Sequence, residues 1–239
     1  MTLTSCLLAA LVASPRPASA DPQQEQAIRQ QAQHWEQRLA CMLHGELNVM
    51  RATCGDLPVP ARRAILKAGQ AEVKNVAMQV ARTQMGQNKD QGDPLDSLRK
   101  TLDTALAEHA DDKALAAYRR EVQQREQRWR EAVVMQVVML LDADLYLTQA
   151  QREAVTKVLL EHFDPGMAAI MHMSGVDEQG RRTYVGLPDD AIRAHLTEAQ
   201  RGRFRNQGDL RHNPWRQSLI WLHLQSGMAL DLDPWWNGK

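Results

Sequence analysis

The chain has 239 residues, enough for one large domain or two smaller ones, and 44% of them are apolar while only 5% are aromatic. Ala, Leu, Val and Met carry the apolar content, which suits packed helices better than sheets. Lys plus Arg and Asp plus Glu both number 29, so no net field draws the chain toward nucleic acid or an anionic lipid surface.

The pattern along the chain predicts an all-α fold of long antiparallel helical hairpins forming an extended bundle. Residues 1–20 read as a signal peptide. Cys6-Leu-Leu-Ala-Ala-Leu-Val-Ala13 is a short apolar run without a basic residue ahead of it, and Ala18-Ser-Ala20 supplies small residues before Asp21. A periplasmic or otherwise exported location follows from that reading. The best later apolar stretch, 132–141, is shorter than the ~20 residues a bilayer requires, so no membrane insertion is expected after cleavage.

Residues 21–92 are expected to form an N-terminal helical hairpin. Ile28, Trp35, Leu39, Met42, Leu43, Leu47 and Met50 fall mostly three and four apart, which predicts one amphipathic helix ended by Gly55 and Pro58. Ile65, Val73, Val76 and Val80 mark a second, antiparallel helix after a short turn. Cys41 and Cys54 lie 13 positions apart on the first helix, roughly 20 Å at ~1.5 Å per residue. A disulfide needs about 4.4–6.8 Å between Cα atoms, so both are free or one bridges two subunits unless the chain reverses between them.

The polar run 87–93 predicts a loop and a boundary, and 93–239 a C-terminal helical region. Asp93 and Pro94 form a cap-and-start signal for a helix with Leu95, Leu98, Leu102 and Leu106 on its buried stripe. The longest periodic run, 111–145, places Leu115, Tyr118, Val122, Trp129, Val133, Val137 and Leu140 inward. Its outer face is expected to carry Arg119, Arg120, Glu121, Arg125, Glu126, Arg128, Arg130 and Glu131, a mixed-sign set that suits a solvated face. A helix over 148–163 stops at Asp164-Pro165-Gly166. The glycines at 175, 180 and 186 around Arg182-Thr-Tyr-Val185 allow a small β-hairpin near residues 170–186, and short helices begin at Pro188, Thr197 and near Trp215.

Leu147-Thr-Gln-Ala-Gln-Arg152 and Leu196-Thr-Glu-Ala-Gln-Arg201 are nearly the same hexapeptide, and Leu57-Pro-Val-Pro-Ala-Arg62 is a decayed third copy. Each leucine precedes an apolar residue (Ile65, Val155, Phe204) by eight positions, which predicts helices of shared register. Thr-x-x-Gln is a capping box: the Thr148 or Thr197 hydroxyl accepts from the N–H three residues on, and Gln151 or Gln200 reaches back to the cap N–H. Arg152 and Arg201 occupy the position where a hydrophobic staple would put an apolar side chain, so only the capping half is present.

An exported helical chain with paired Leu-Thr-x-x-Gln motifs resembles the Spy/CpxP family of bacterial periplasmic proteins, which includes ATP-independent chaperones and envelope-stress or metal-responsive regulators. The resemblance covers roughly residues 145–207, and Leu147, Thr148, Gln151, Leu196, Thr197 and Gln200 match. It implies a client-binding or stress-adaptor role, unfolded or partner proteins as ligands, and a homodimer. The chain departs from such relatives in its length, its neutral charge and the Gly-rich stretch 164–187 between the motifs.

No Gly-x-Ser-x-Gly, His-Glu-x-x-His, P-loop or Gly-x-Gly-x-x-Gly occurs, and Asp142-Ala-Asp144 lacks the rest of a calcium loop, so no enzyme and no cofactor is expected. Cys41 with His44, and Met171-His172-Met173, are soft-ligand candidates for Cu(I) or Zn in a metal-responsive protein. A full site needs three or four ligands, and methionine in a helical protein is commonly core filler. A structural helical module of an envelope assembly is the remaining alternative. Trp215, Trp221, Trp235 and Trp236 can either form an exposed patch or dock onto the domain.

Overall fold

The computed structural model describes residues 22–87, 93–169, 175–176, 182–207 and 231–238. Residues 1–20, expected as a signal peptide, and Met171, His172, Met173, Trp215 and Trp221 lie outside the described residues. The fold is all-α: α1 (Pro22–Cys54), α2 (Val59–Gln84), α3 (Pro94–Ala107), α4 (Asp112–Leu145), α5 (Gln149–Glu161), α6 (Asp189–Arg193) and α7 (Glu198–Arg203). Short 3-10 turns cover Pro165–Ala169 and Pro234–Asn237.

The first core forms where the apolar stripes of α1 and α2 face each other. Ile28, Trp35, Leu39, Leu43, Leu47 and Met50 meet Ile65, Val73, Val76 and Val80, all buried. Trp35 Nε1 donates to Gln84 Oε1 at 3.0 Å, so the start of α1 lies beside the end of α2 and the pair is antiparallel. The helices approach closely at Gly69, where an added Cβ would collide with Leu43 Cδ1 and sit 3.2 Å from Leu102 Cδ2. Asp93 caps α3 by accepting from Leu95 N at 2.8 Å, and Leu98, Leu102 and Leu106 then enter the same core. Asp111 caps α4 by accepting from Ala114 N at 2.7 Å.

The second core comprises Val133 to Leu145 of α4, Leu147, Val155, Val158 and Leu159 of α5, and Tyr184, Leu187, Ile192, Leu196 and Phe204. The seam between the two cores falls within α4, whose buried positions stop at Tyr118 and resume at Val133. Thus α3 and the first half of α4 share a core with the hairpin over 21–92, and α4 alone runs through both cores.

A 3-10 turn at the far end of the chain completes the first core. Trp236 is fully buried there and meets Trp235 edge to face at 5.0 Å. Arg62 lies 4.3 Å over the Trp235 ring and donates to its carbonyl at 2.7 Å, while Arg51 pairs with Asp233. Of the two options for the tryptophan-rich tail, Trp235 and Trp236 take the docked one.

The strands are β1 (Gly175–Val176), β2 (Arg182–Val185) and β3 (Arg205–Gln207). Gly175 pairs antiparallel with Thr183, the small hairpin that the glycine pattern allows. β3 adds to β2 in parallel, an element absent from the sequence expectation. The α6–α7 connection carries the chain back to start β3 in the direction of β2, and Asn206 ties it down by donating to Leu187 O (2.8 Å) and accepting from Leu187 N (3.2 Å).

Two sequence expectations need correction. The helix after the second motif does not run through Phe204: α7 ends at Arg203, and Phe204 turns extended to enter β3, buried beside Tyr184. The outer face of α4 does not include Arg125 or Arg130. Arg125 stands two helical turns after Tyr118 on the inward stripe, and it donates to both oxygens of Glu46 on α1 (3.2 and 3.3 Å). Arg130 reaches Leu160 O and lies 5.2 Å over the Phe163 ring. Arg119 and Arg128 do stay outside, paired with Asp103 and Glu121 at 2.7 Å.

Two buried phenols set an alkaline limit to this packing. Burial, and then the charge of Glu46, raise the ionisation of Tyr118 well above the ordinary phenol range. Burial, and then a hydrogen bond to Asp144, do the same for Tyr184. Folded chains therefore keep protons that unfolded chains shed near pH ~10. Their contribution is complete below that pH and is lost as pH rises through and above it. Tyr184→Phe should cost about 1–2 kcal/mol at neutral pH, because it removes hydrogen bonding to Leu140 O and Asp144. Tyr118→Phe should cost nothing, since Tyr118 Oη has no partner among the described residues. Both should flatten the alkaline loss in urea midpoints measured from neutral pH to about pH 11; equal midpoints for the two variants at neutral pH would contradict this assignment.

Candidate functional site

The two Leu-Thr-x-x-Gln motifs begin α5 and α7. Thr148 Oγ1 accepts from Gln151 N at 3.3 Å, and Gln151 Oε1 accepts from Thr148 N at 3.0 Å. In the second copy Thr197 Oγ1 accepts from Gln200 N at 3.3 Å and Gln200 Oε1 from Thr197 N at 2.9 Å. Leu147 and Leu196 are buried in the second core just ahead of the caps. The decayed copy also starts a helix after a buried leucine, Leu57, but Pro58 offers no side chain to cap it.

The motifs are also joined to each other. Gln151 Nε2 donates to Gln200 Oε1 (2.8 Å) and to His195 O (2.9 Å). Gln200 Nε2 donates to Gln151 Oε1 (3.2 Å) and to Leu145 O (3.0 Å). Each amide oxygen thus receives its own cap N–H and the other glutamine's NH2, and each NH2 donates to the other oxygen and to the backbone just ahead of the other motif. This fills the donors and acceptors of both amides. A capping box accepts Glu or Gln, but only Gln has the N–H groups this exchange needs, and two facing carboxylates would repel.

The two acids at the end of α4 are used to hold the same junction. Tyr146 closes α4 in the left-handed region at φ 53°, Asp142 Oδ1 accepts from Leu147 N at 2.8 Å, and Asp142 Oδ2 pairs with Arg152 at 2.9 Å. Asp144 takes the Tyr184 hydroxyl and Arg182 (3.3 Å). These contacts fix α5 against α4 at their shared end and open a groove of about 970 Å3 between them farther along.

That groove carries the main exposed apolar feature among the described residues. Met135 and Met139 line it, 64% and 67% exposed, with Val134, Val138 and Leu160 behind them. The outward positions of α4 from 132 to 143 are Ala132, Met135, Gln136, Met139 and Ala143, with no charge among them. Tyr146, just past the end of α4, is exposed as well. The two methionines do not stand out in the sequence because the Val133, Val137 and Leu140 stripe accounts for the buried face. The available signal was a helix with apolar residues on both sides.

Of the metal candidates, Cys41 and His44 fall among the described residues. Cys41 and His44 are both partly buried on α1, and the Cys41 thiol donates to Gln37 O at 3.6 Å. No group of three or more His, Cys, Asp or Glu side chains suited to a metal ion occurs among the described residues. Cys41 and Cys54 are both free on the one helix. The Cys54 thiol is raised above its ordinary range, first by burial and also by Asp111, against a lowering contact from Thr53. It donates to Ala114 O at 3.6 Å, which makes it a packing residue and not a nucleophile.

No helix among the described residues is long and apolar enough to cross a membrane. Comparison with family models, with characterised proteins and with solved structures finds no match to the chain.

The amide exchange makes a mutational signature. Thr148→Ala should lower stability by ~1 kcal/mol, the usual cost of a lost cap, and Thr148→Ser should be nearly silent. Gln151→Ala and Gln200→Ala should be non-additive, with a coupling of about 0.5–3 kcal/mol in a double-mutant cycle followed by urea denaturation. Gln151→Glu, which keeps the cap acceptor, should still destabilise. A strictly additive cycle, or a silent Gln151→Glu, would show that the two caps act separately.

Proposed function

We propose that the protein is an exported, periplasmic client-binding or envelope-stress adaptor protein, working as an ATP-independent chaperone and not as an enzyme. The observation that carries this reading is the uncharged, exposed surface of Met135 and Met139 beside the α4/α5 groove. Apolar surface of this kind marks interaction sites, and methionine adapts its flexible, polarisable side chain to many partner shapes. A mixed-sign charged rim, with Arg130, Glu131, Glu153 and Lys157, lets the groove accept segments without one required net charge. The paired capping boxes supply a stiff end to the groove, and their sequence is what resembles the Spy/CpxP family. The signal-peptide pattern expected over 1–20 supports export.

The reading is tested by light scattering of a chemically denatured model protein diluted into buffer with stoichiometric amounts of the full chain and no nucleotide. Aggregation should be suppressed across a range of salt. Met135→Lys with Met139→Lys should abolish the suppression while leaving the helical circular dichroism and the urea midpoint unchanged, because both side chains are already in solvent. No suppression by the native chain, or undiminished suppression by the double variant, overturns the proposal.

A further inference from the structure

Between the two cores lies a second cleft, about 560 Å3, lined by α3, the middle of α4 and the turn after α5. Its volume falls in the ~300–1,000 Å3 range of small-molecule sites. Its chemistry differs from that of the α4/α5 groove. Arg99 and Arg125 line it, together with Trp129 and Phe163, which meet edge to face at 5.4 Å and 86°.

The two arginines share one carboxylate. Glu46, only 3% exposed, accepts from Arg99 Nε (3.4 Å) and Nη2 (3.3 Å) and from Arg125 Nη1 (3.2 and 3.3 Å). Among the described residues no other acceptor takes the remaining N–H groups of either guanidinium. Two positive charges therefore face one negative charge, and the Nε–Nη2 edge of Arg125 is unused. That edge is the fork that binds a carboxylate through two parallel hydrogen bonds. The other charges on the cleft define its selectivity. Asp93 is engaged as the α3 cap and Arg128 with Glu121, which leaves Asp96 and Glu126 exposed on the rim. With one carboxylate on the arginines, a second would lie toward the rim against these two acids, so a single carboxylate is favoured.

We propose that this cleft is a binding site for a small monocarboxylate with an aromatic or aliphatic body, its carboxylate on Arg125 and Arg99 and its body against Trp129 and Phe163. The site is separate from the methionine groove and stands whether or not that groove binds clients.

The test is isothermal titration of the full chain with 3-phenylpropionate, with phenylsuccinate as the dianionic probe and 3-phenylpropanol as the neutral one. Saturable binding of 3-phenylpropionate with Kd below about 10 mM is expected, and binding of the other two should be at least about tenfold weaker. Arg125→Gln should weaken 3-phenylpropionate at least about tenfold. Because that variant also removes a partner of buried Glu46, the exposed Glu126→Gln provides an arm that spares the core: it should tighten 3-phenylpropionate and narrow the discrimination against phenylsuccinate. Absence of saturable binding, equal binding of 3-phenylpropanol, or Glu126→Gln affinities unchanged for both anions would overturn the proposal.

Discussion

Helix α4 is the constraint on which the rest of the structure depends. Its 34 residues run unbroken for about 51 Å, and its two halves belong to different cores. Between Tyr118 and Val133 no residue of α4 is fully buried: Val122 and Trp129 pack partly buried against the two cores, and charge supplies the rest of the hold. The Glu46 cluster is the main tie there, linking α1, α3 and α4 through one buried carboxylate and two arginines. Removing one partner of such a cluster leaves an uncompensated buried charge, which costs several times more than the net value of an exposed pair.

The helical parts were legible because their physics is local. A 3.6-residue stripe such as Leu98, Leu102 and Leu106 announces its buried face, and Asp93, Asp111, Thr148 and Thr197 announce helix starts through a side-chain oxygen within reach of nearby N–H groups. The features that escaped sequence reading are tertiary. Glu46 sits next to Leu47 in a stretch that gives no hint of its partners 53 and 79 residues away. Arg125 looks like one more surface charge until its helical phase is compared with Tyr118. β3 has no β-branched residue, and it forms because Asn206 locks onto the Leu187 backbone.

The repeat shows how far a short motif can be read alone. Each copy taken singly specifies a helix start, and that part follows from the hydroxyl and the amide oxygen. The NH2 of each glutamine has no role within its own copy. Its presence in both copies is intelligible only when the two are seen to exchange hydrogen bonds, which brings residues 49 apart into one junction. The candidate surfaces lie on either side of what this junction and the Glu46 cluster hold in place: the methionine groove between α4 and α5, and the arginine cleft between the cores.

The docking of Trp236 on α1 and α2 also has a kinetic meaning. Arg51 and Asp233 are separated by 182 positions, so the first core closes through one of the longest loops the chain can make. Contacts of such sequence separation form late, because loop closure must be completed before they contribute. During synthesis the α1–α2 hairpin therefore leaves the ribosome long before its covering tryptophan exists, and its apolar face must wait, uncovered at that spot, for Trp236 to arrive.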